Sequence, residues 1–165
     1  MHASQELKRI ELYSQQIGEL EMTILALAEK ERSYELLQKL PGVGQTIALT
    51  IVYEVGEIAR FASVKVFSSY CRVVSGIAQS GNVTRRGRAS KQGNHYLKWA
   101  LSQAAVHAVR CYPKVRRYYE RQMKRHHGRG RQMICYNIIA HKLAQAAFHV
   151  LKEGVEYREE LLFGR

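Results

Sequence analysis

The sequence predicts an all-α protein, with a helical, coiled-coil-like arm followed by a domain of five to six helices. Three observations predict it. Apolar residues recur at intervals of three and four along most of the chain, which is the period of a helix face. No stretch alternates apolar and polar residues as a half-buried strand does. The breaks fall where helices stop, at Pro41, Pro113 and several glycines. With 165 residues, 46% of them hydrophobic, the chain can form one cored domain and an appendage.

The first segment, residues 5 to 32, sets Ile10, Tyr13, Ile17, Leu20, Ile24 and Leu27 at spacings of three, four, three, four and three, a heptad seam. Such a seam serves either a coiled-coil arm that dimerises or an amphipathic helix packed on its own domain. The arm is the favoured reading, and with it a homo-oligomer. Ser33 marks a break, and a short helix from 34 to 40 ends at Pro41, which cannot continue it.

In LPGVGQTIALTIVYEVG, residues 40 to 56, Pro41, Gly42 and Gly44 read as a tight turn between two helices. Glycines there admit positive φ and let backbone approach a ligand, while Val43 plugs the turn from below. Ile47, Ala48, Ile51, Val52 and Val55 continue in helical period to Gly56. The free N–H groups at this helix start would form a site for backbone phosphate, so Gly42, Val43 and Gly44 are candidate DNA contacts. The stretch resembles the helix-hairpin-helix motif (34–56) of DNA repair and recombination proteins. The plain alternative is an ordinary αα-turn.

A third helix is expected from Ser63, a natural N-cap, through Val66, Phe67, Tyr70 and Val74. Residues 75 to 93 read as a pliant loop. Asn94 then caps an amphipathic helix whose Leu97, Leu101, Ala104, Ala105 and Ala108 form a narrow packing face. Tyr112 and Pro113 interrupt it, a basic helix runs on to Gly128, and a last helix, 131 to 153, ends at Gly154. The predicted organisation is an arm (1–33), a domain (34–153) and a tail (154–165).

Charge narrows the function. Of the net +12, residues 85 to 131 hold fourteen Lys or Arg against one acid, Glu120, and the rest of the chain sums to about −1. A field of one sign confined to one stretch steers polyanions, so nucleic acid is the expected partner. The chain contains no aspartate. Two-metal nucleases hold their ions with clustered carboxylates, usually including Asp, so this chain alone is not expected to build such a site. Repair glycosylases that use a helix-hairpin-helix also need a catalytic Asp, and the cysteines lack the paired spacing of a zinc site. Cys71, Cys111 and Cys135 read as reduced, small buried residues. No apolar run of about 18 residues and no secretory signal is seen, so the cytosol, at the nucleoid, is the expected location and no membrane partner is expected.

The segment SGIAQSGNVTRRGRASKQG, residues 75 to 93, interleaves Ser75, Ser80, Thr84 and Ser90 with Arg85, Arg86, Arg88 and Lys91 and carries no acid. A serine attacks a phosphodiester only if the developing charge is neutralised, and arginine forks bind phosphate bidentately. Ser80, beside Gly81, is the candidate nucleophile, with the arginines and Lys91 as a phosphate clamp. His95 is the nearest imidazole, either a general base or a surface residue at a helix start. Turn chemistry and non-specific phosphate contact remain the alternatives on residues alone.

The order LPGVG, then GEIARFASVKVFSSY with Arg60 and Phe61, then QSGNVTRRGRASKQGNHYLKWALSQAA resembles a known domain. It is the C-terminal transposase domain of bacterial insertion-sequence transposases that pair an N-terminal RuvC-like DEDD domain with a helix-hairpin-helix and a catalytic serine, the recombinases guided by a bridge RNA. The likeness spans about residues 34 to 150, and the heptad segment resembles the coiled coil joining the two domains. It implies that Ser80 attacks DNA and becomes covalently joined to it, and that Asn94, closing the Lys-x-Gly-Asn run, belongs to the DNA-binding set. It also implies a guide RNA as a further partner. Magnesium would belong to the DEDD domain, whose acids this chain lacks, so the resemblance implies half of a composite site and no cofactor in this chain. Where the family has Gly-Leu-x-Pro before the SG pair, this chain has CRVVSG, with Ser75 near the place of the proline. Ser75 is therefore a second candidate. The rival reading is a helix-hairpin-helix module that binds DNA without chemistry.

Overall fold

The computed structural model describes residues 2–74, 77–80, 83–86 and 92–163, with backbone alone for 2–3, 77–80, 83–86, 159 and 161. The chain divides into two compact units, Met1–Arg32 and Ser33–Arg165. The first is a single long helix, α1 (His2–Ala28). The seam Ile10, Tyr13, Ile17, Leu20, Ile24 and Leu27 is exposed along its length, each residue between 40% and 62%.

The second unit is all-α apart from one small hairpin. Helices α2 (Arg32–Gln38) and α3 (Gln45–Val55) flank the proline-glycine turn. A 3-10 turn, Ile58–Arg60, leads to α4 (Val64–Tyr70). After the hairpin come α5 (His95–Cys111), α6 (Pro113–Arg125), α7 (Arg131–Glu153) and the short α8 (Glu159–Phe163). α5 and α7 form the centre; α3 and α6 pack on α5, and α4 and α6 on α7. The alanine face of α5 explains the closeness. Leu97, Ala100, Leu101, Ala104, Ala105 and Ala108 are buried, as are Cys135, Ile139, Leu143 and Ala147 on α7. Small side chains let helix backbones approach while the leucines fill the space between. Phe67 completes the core against Phe61 (5.1 Å between centroids) and Phe148 (5.7 Å).

The helix boundaries follow local chemistry. Ser63 accepts a bond from the Val66 N–H at 3.3 Å and so starts α4. Pro113 occupies the first turn of α6, where its missing N–H costs nothing. Gly154, at φ 63°, closes α7.

Three expectations need correction. The helix expected to reach Val74 stops at Tyr70, because Arg72 adopts φ 56° and turns the chain. The segment read as a loop contains an antiparallel pair, β1 (Ile77–Ser80) with β2 (Val83–Arg86), in the register Ile77 to Arg86, Ala78 to Arg85, Gln79 to Thr84 and Ser80 to Val83. Of the cysteines, Cys71 and Cys135 are buried but Cys111, on the outer face of α5, is exposed.

Candidate nucleic-acid interface

The turn between α2 and α3 divides its work between its two glycines. Leu40, Pro41, Gly42 and Val43 are buried, with the Val43 N–H donating to the Leu40 carbonyl at 3.1 Å. Gly42 sits at φ 80°, and a Cβ there would stand 2.1 Å from the Ala104 oxygen and 2.8 Å from the Ala108 nitrogen. Its missing side chain therefore serves packing on α5, not approach to a ligand. Gly44 is the opposite case. It is exposed, has nothing within 4 Å of a built Cβ, and takes φ −93°, which any residue adopts. The expectation of positive φ holds only for Gly42. No side chain caps α3, and Gly44, Gln45 and Thr46 are exposed, so this helix start presents backbone amides outward.

The segment that carries the candidate nucleophile is pinned at both ends. The Asn94 N–H donates to the Tyr70 carbonyl at 2.7 Å, and the Asn137 side-chain amide donates to the Val73 carbonyl at 3.1 Å. Gly93, at φ 103°, allows this closure, since a Cβ there would lie 2.5 Å from the Tyr70 oxygen. Chain departure after Tyr70 and return at Asn94 are thus drawn together. Ser80 is the last residue of β1 and pairs with Val83, the final rung of the ladder. Arg85 and Arg86 lie on β2, at the Ala78 and Ile77 rungs. For these three only the backbone is described; Ser75, Gly81, Arg88, Ser90 and Lys91 lie outside the described residues.

Asn94 is committed within the fold. Its side-chain oxygen accepts from the Leu97 N–H at 2.9 Å, and its amide nitrogen donates to the Glu54 carboxylate at 2.5 Å and lies 3.5 Å from the Tyr70 hydroxyl. Beside it the exposed Arg60 guanidinium lies over the rings of Phe61 (4.5 Å) and Tyr70 (4.9 Å). The Asn94 hydrogen bond first, and Arg60 next, hold the Tyr70 phenol below its usual range. Sequence reading singled out Arg60, Phe61 and Asn94 separately but missed that Glu54 and Tyr70 join them. Glu54 stands 40 residues from Asn94, and no local signal links them. His95 is exposed and rests on Tyr96, with centroids 3.9 Å apart.

Basic side chains also gather on α6. Lys114, Arg117, Arg121 and Lys124, at helical spacings of three and four, line a cavity of about 520 Å³ with Glu120, Glu160 and Phe163. Lys114 pairs with Glu160 at 3.3 Å. Among the described residues no three His, Cys, Asp or Glu side chains converge, and the sequence holds no aspartate. Among those residues, too, no helix is long and apolar enough to cross a membrane.

Residues 34–120, which enclose the turn, the hairpin and the start of α6, match the model of the family described as "Transposase IS116/IS110/IS902 family". Among curated proteins, the chain is 27% identical over 145 residues to an uncharacterized 43.6 kDa protein of insertion element IS110 from Streptomyces coelicolor. That match covers 88% of this chain and 35% of the relative. It is 32% identical over 89 residues to the transposase for insertion sequence element IS1111A of Coxiella burnetii, covering 54% of this chain and 24% of that one. The chain thus spans only 35% and 24% of the length of these relatives, and by the extent of its family match it belongs to the IS116/IS110/IS902 transposase family.

Proposed function

We propose that this chain is the DNA-joining part of an insertion-sequence transposase, cutting and rejoining DNA through a serine. Ser80 Oγ attacks a phosphodiester phosphorus; the bond from phosphorus to the departing DNA oxygen breaks, a phosphoserine ester forms, and the serine proton ends on the freed DNA hydroxyl. A second DNA hydroxyl then reverses the step and releases the serine, so the bond energy is retained without a nucleotide cofactor. Arg85, Arg86, Arg88 and Lys91 neutralise the pentavalent phosphate. The α2–turn–α3 unit acts as a helix-hairpin-helix, gripping duplex backbone through the exposed amides at Gly44 while Gly42 and Val43 hold the turn in shape. Asn94 fixes the base of the hairpin rather than its tip. The magnesium-binding acids come from another domain or subunit, α1 pairs with a second copy through its exposed seam, and the cations of α6 hold flanking DNA or a guide RNA.

The observation that carries this reading is the ladder register inside the family match. It sets Ser80 at the last rung of a hairpin whose other strand bears Arg85 and Arg86, with both ends of the segment tied to the core. The test is a covalent trap. Supercoiled DNA bearing the element's ends is incubated with the chain, and the acidic domain of a full-length relative is supplied in trans. A denaturation-stable protein–DNA adduct should map to Ser80 and vanish in Ser80→Ala, while Ser75→Ala retains it. Adduct formation by Ser80→Ala would refute the assignment. A chain that binds DNA but never forms the adduct would be the binding module without chemistry.

A further inference from the structure

The start of α5 carries aromatic side chains that the core does not use. Tyr96 is 53% exposed and Trp99 48%, and His95 is exposed and stacked on Tyr96. Residues three and four apart on a helix have Cβ atoms about 5–6 Å from one another, so Trp99 neighbours both His95 and Tyr96 and the three rings form one patch. Leu97, Ala100 and Leu101, on the opposite side, are buried. Tyr53, 52% exposed, precedes the Glu54 that holds Asn94, so it stands at the same end of the α3–α5 pair.

We propose that this aromatic patch is a stacking platform for the bases of unpaired nucleotides. Two features select that occupant. The chain around it is strongly basic: from residue 58 to residue 119 the sequence has no acid, Lys98 lies between Tyr96 and Trp99, and the nearby Glu54 carboxylate is engaged by Asn94. Cations outnumber acids around this face, so a polyanion is drawn to it. The exposed large side chains of the patch are rings, without an aliphatic among them, and rings combined with cations suit a partner that carries π faces along a phosphate chain. In a duplex the bases already stack on one another, so only unpaired nucleotides can lie on these rings. The location fits the proposed chemistry, on which this inference rests. The patch begins one residue after Asn94, the anchor of the segment bearing Ser80, where a cut strand would have its bases released from pairing.

Trp99 is the only tryptophan of the chain, so its emission reports on the patch directly. The 165-residue chain is titrated with a short oligothymidylate, the matching oligouridylate, an abasic oligonucleotide of the same length and a blunt duplex. Quenching by either base-bearing single strand, with little by the abasic strand or the duplex, is the expected result, and the stronger of the two identifies DNA or RNA as the source. Separately, Tyr96→Ala/Trp99→Ala should weaken binding of a labelled single strand at least about tenfold and leave duplex binding unchanged. Both residues are exposed, and circular dichroism checks that the variant keeps its helices. Equal quenching by the abasic strand, or full single-strand affinity in the double variant, overturns the platform and leaves a phosphate-binding chain. Failure of every oligonucleotide to bind the folded chain overturns the nucleic-acid reading along with it.

Discussion

The Cβ that Gly42 lacks would stand 2.1 Å from the carbonyl oxygen of Ala104. The turn therefore rests directly on the α5 backbone, and the backbone cannot withdraw as a flexible side chain could. A methyl group here meets both that contact and an unfavourable positive φ. Gly42→Ala should destabilise the domain by about 2–5 kcal/mol, whereas Gly44→Ala, at a negative φ with open space around it, should cost no more than about 1 kcal/mol. Urea unfolding followed by circular dichroism separates the two. If Gly44→Ala retains stability but loses duplex affinity, the exposed amide start of α3 is the contact surface.

Asn94 joins the start of α5 to the end of α3 through Glu54. Asn94→Ala removes a helix cap and a bond to a charged group and should cost about 1–3 kcal/mol. Asn94→Asp keeps the cap but sets a second carboxylate against Glu54. Like charges raise a carboxyl pKa in the folded state, so the variant is relatively stable in acid and loses stability as pH rises through the carboxylate range. Thermal melts from pH 4 to pH 7 should show the Asp variant falling further below the parent as pH increases. A constant gap would mean that the two carboxylates do not meet.

Much of this architecture was legible because helices announce themselves locally. The caps at Ser63 and Asn94, the stop at Gly154 and the alanine face of α5 all lie where period and capping chemistry place them. The hairpin was not legible. Its strands are four residues each and lack apolar alternation, and what closes the segment is tertiary: the Tyr70 carbonyl meeting the Asn94 N–H, and Asn137 reaching Val73 from 64 residues away. The glycines of the turn were read as one kind. Only packing distinguishes Gly42, whose neighbour is Ala104 of α5, from Gly44, whose neighbour is solvent.

The ladder register separates two arginines that sequence treats alike. Ser80 is paired with Val83, so Arg85 is its diagonal neighbour at a position of the same parity, and Arg86 has the other parity. Arg85→Ala should therefore reduce Ser80-dependent adduct formation more than Arg86→Ala, by at least about tenfold if the guanidinium neutralises the transferring phosphate. Each should lower the salt dependence of DNA binding by a similar amount, about one unit of slope, since both remove one cation. Adduct yields from paired single-turnover reactions decide the point. Equal losses would mean that the two arginines act only through charge.

Burial treats the three thiols differently, and this gives the core a pH signature. Desolvation pushes the Cys71 thiol up to about 12 from 9.0 and raises that of Cys135, while Cys111 is exposed. For an acid whose folded pKa is raised, stability is fully present below the unfolded value and is lost as pH rises towards the folded one. The domain should therefore weaken progressively between pH 9 and about 12, as the unfolded chain alone can ionise Cys71. Cys71→Ala should flatten that decline even if it lowers stability at neutral pH by about 1 kcal/mol through a small cavity. A thiol reagent at about pH 8 should meanwhile label Cys111 rapidly and the other two only after unfolding. Rapid labelling of Cys71 in the native chain would mean that α4 opens readily from α7, and with it the Tyr70–Asn94 tie that closes the segment carrying Ser80.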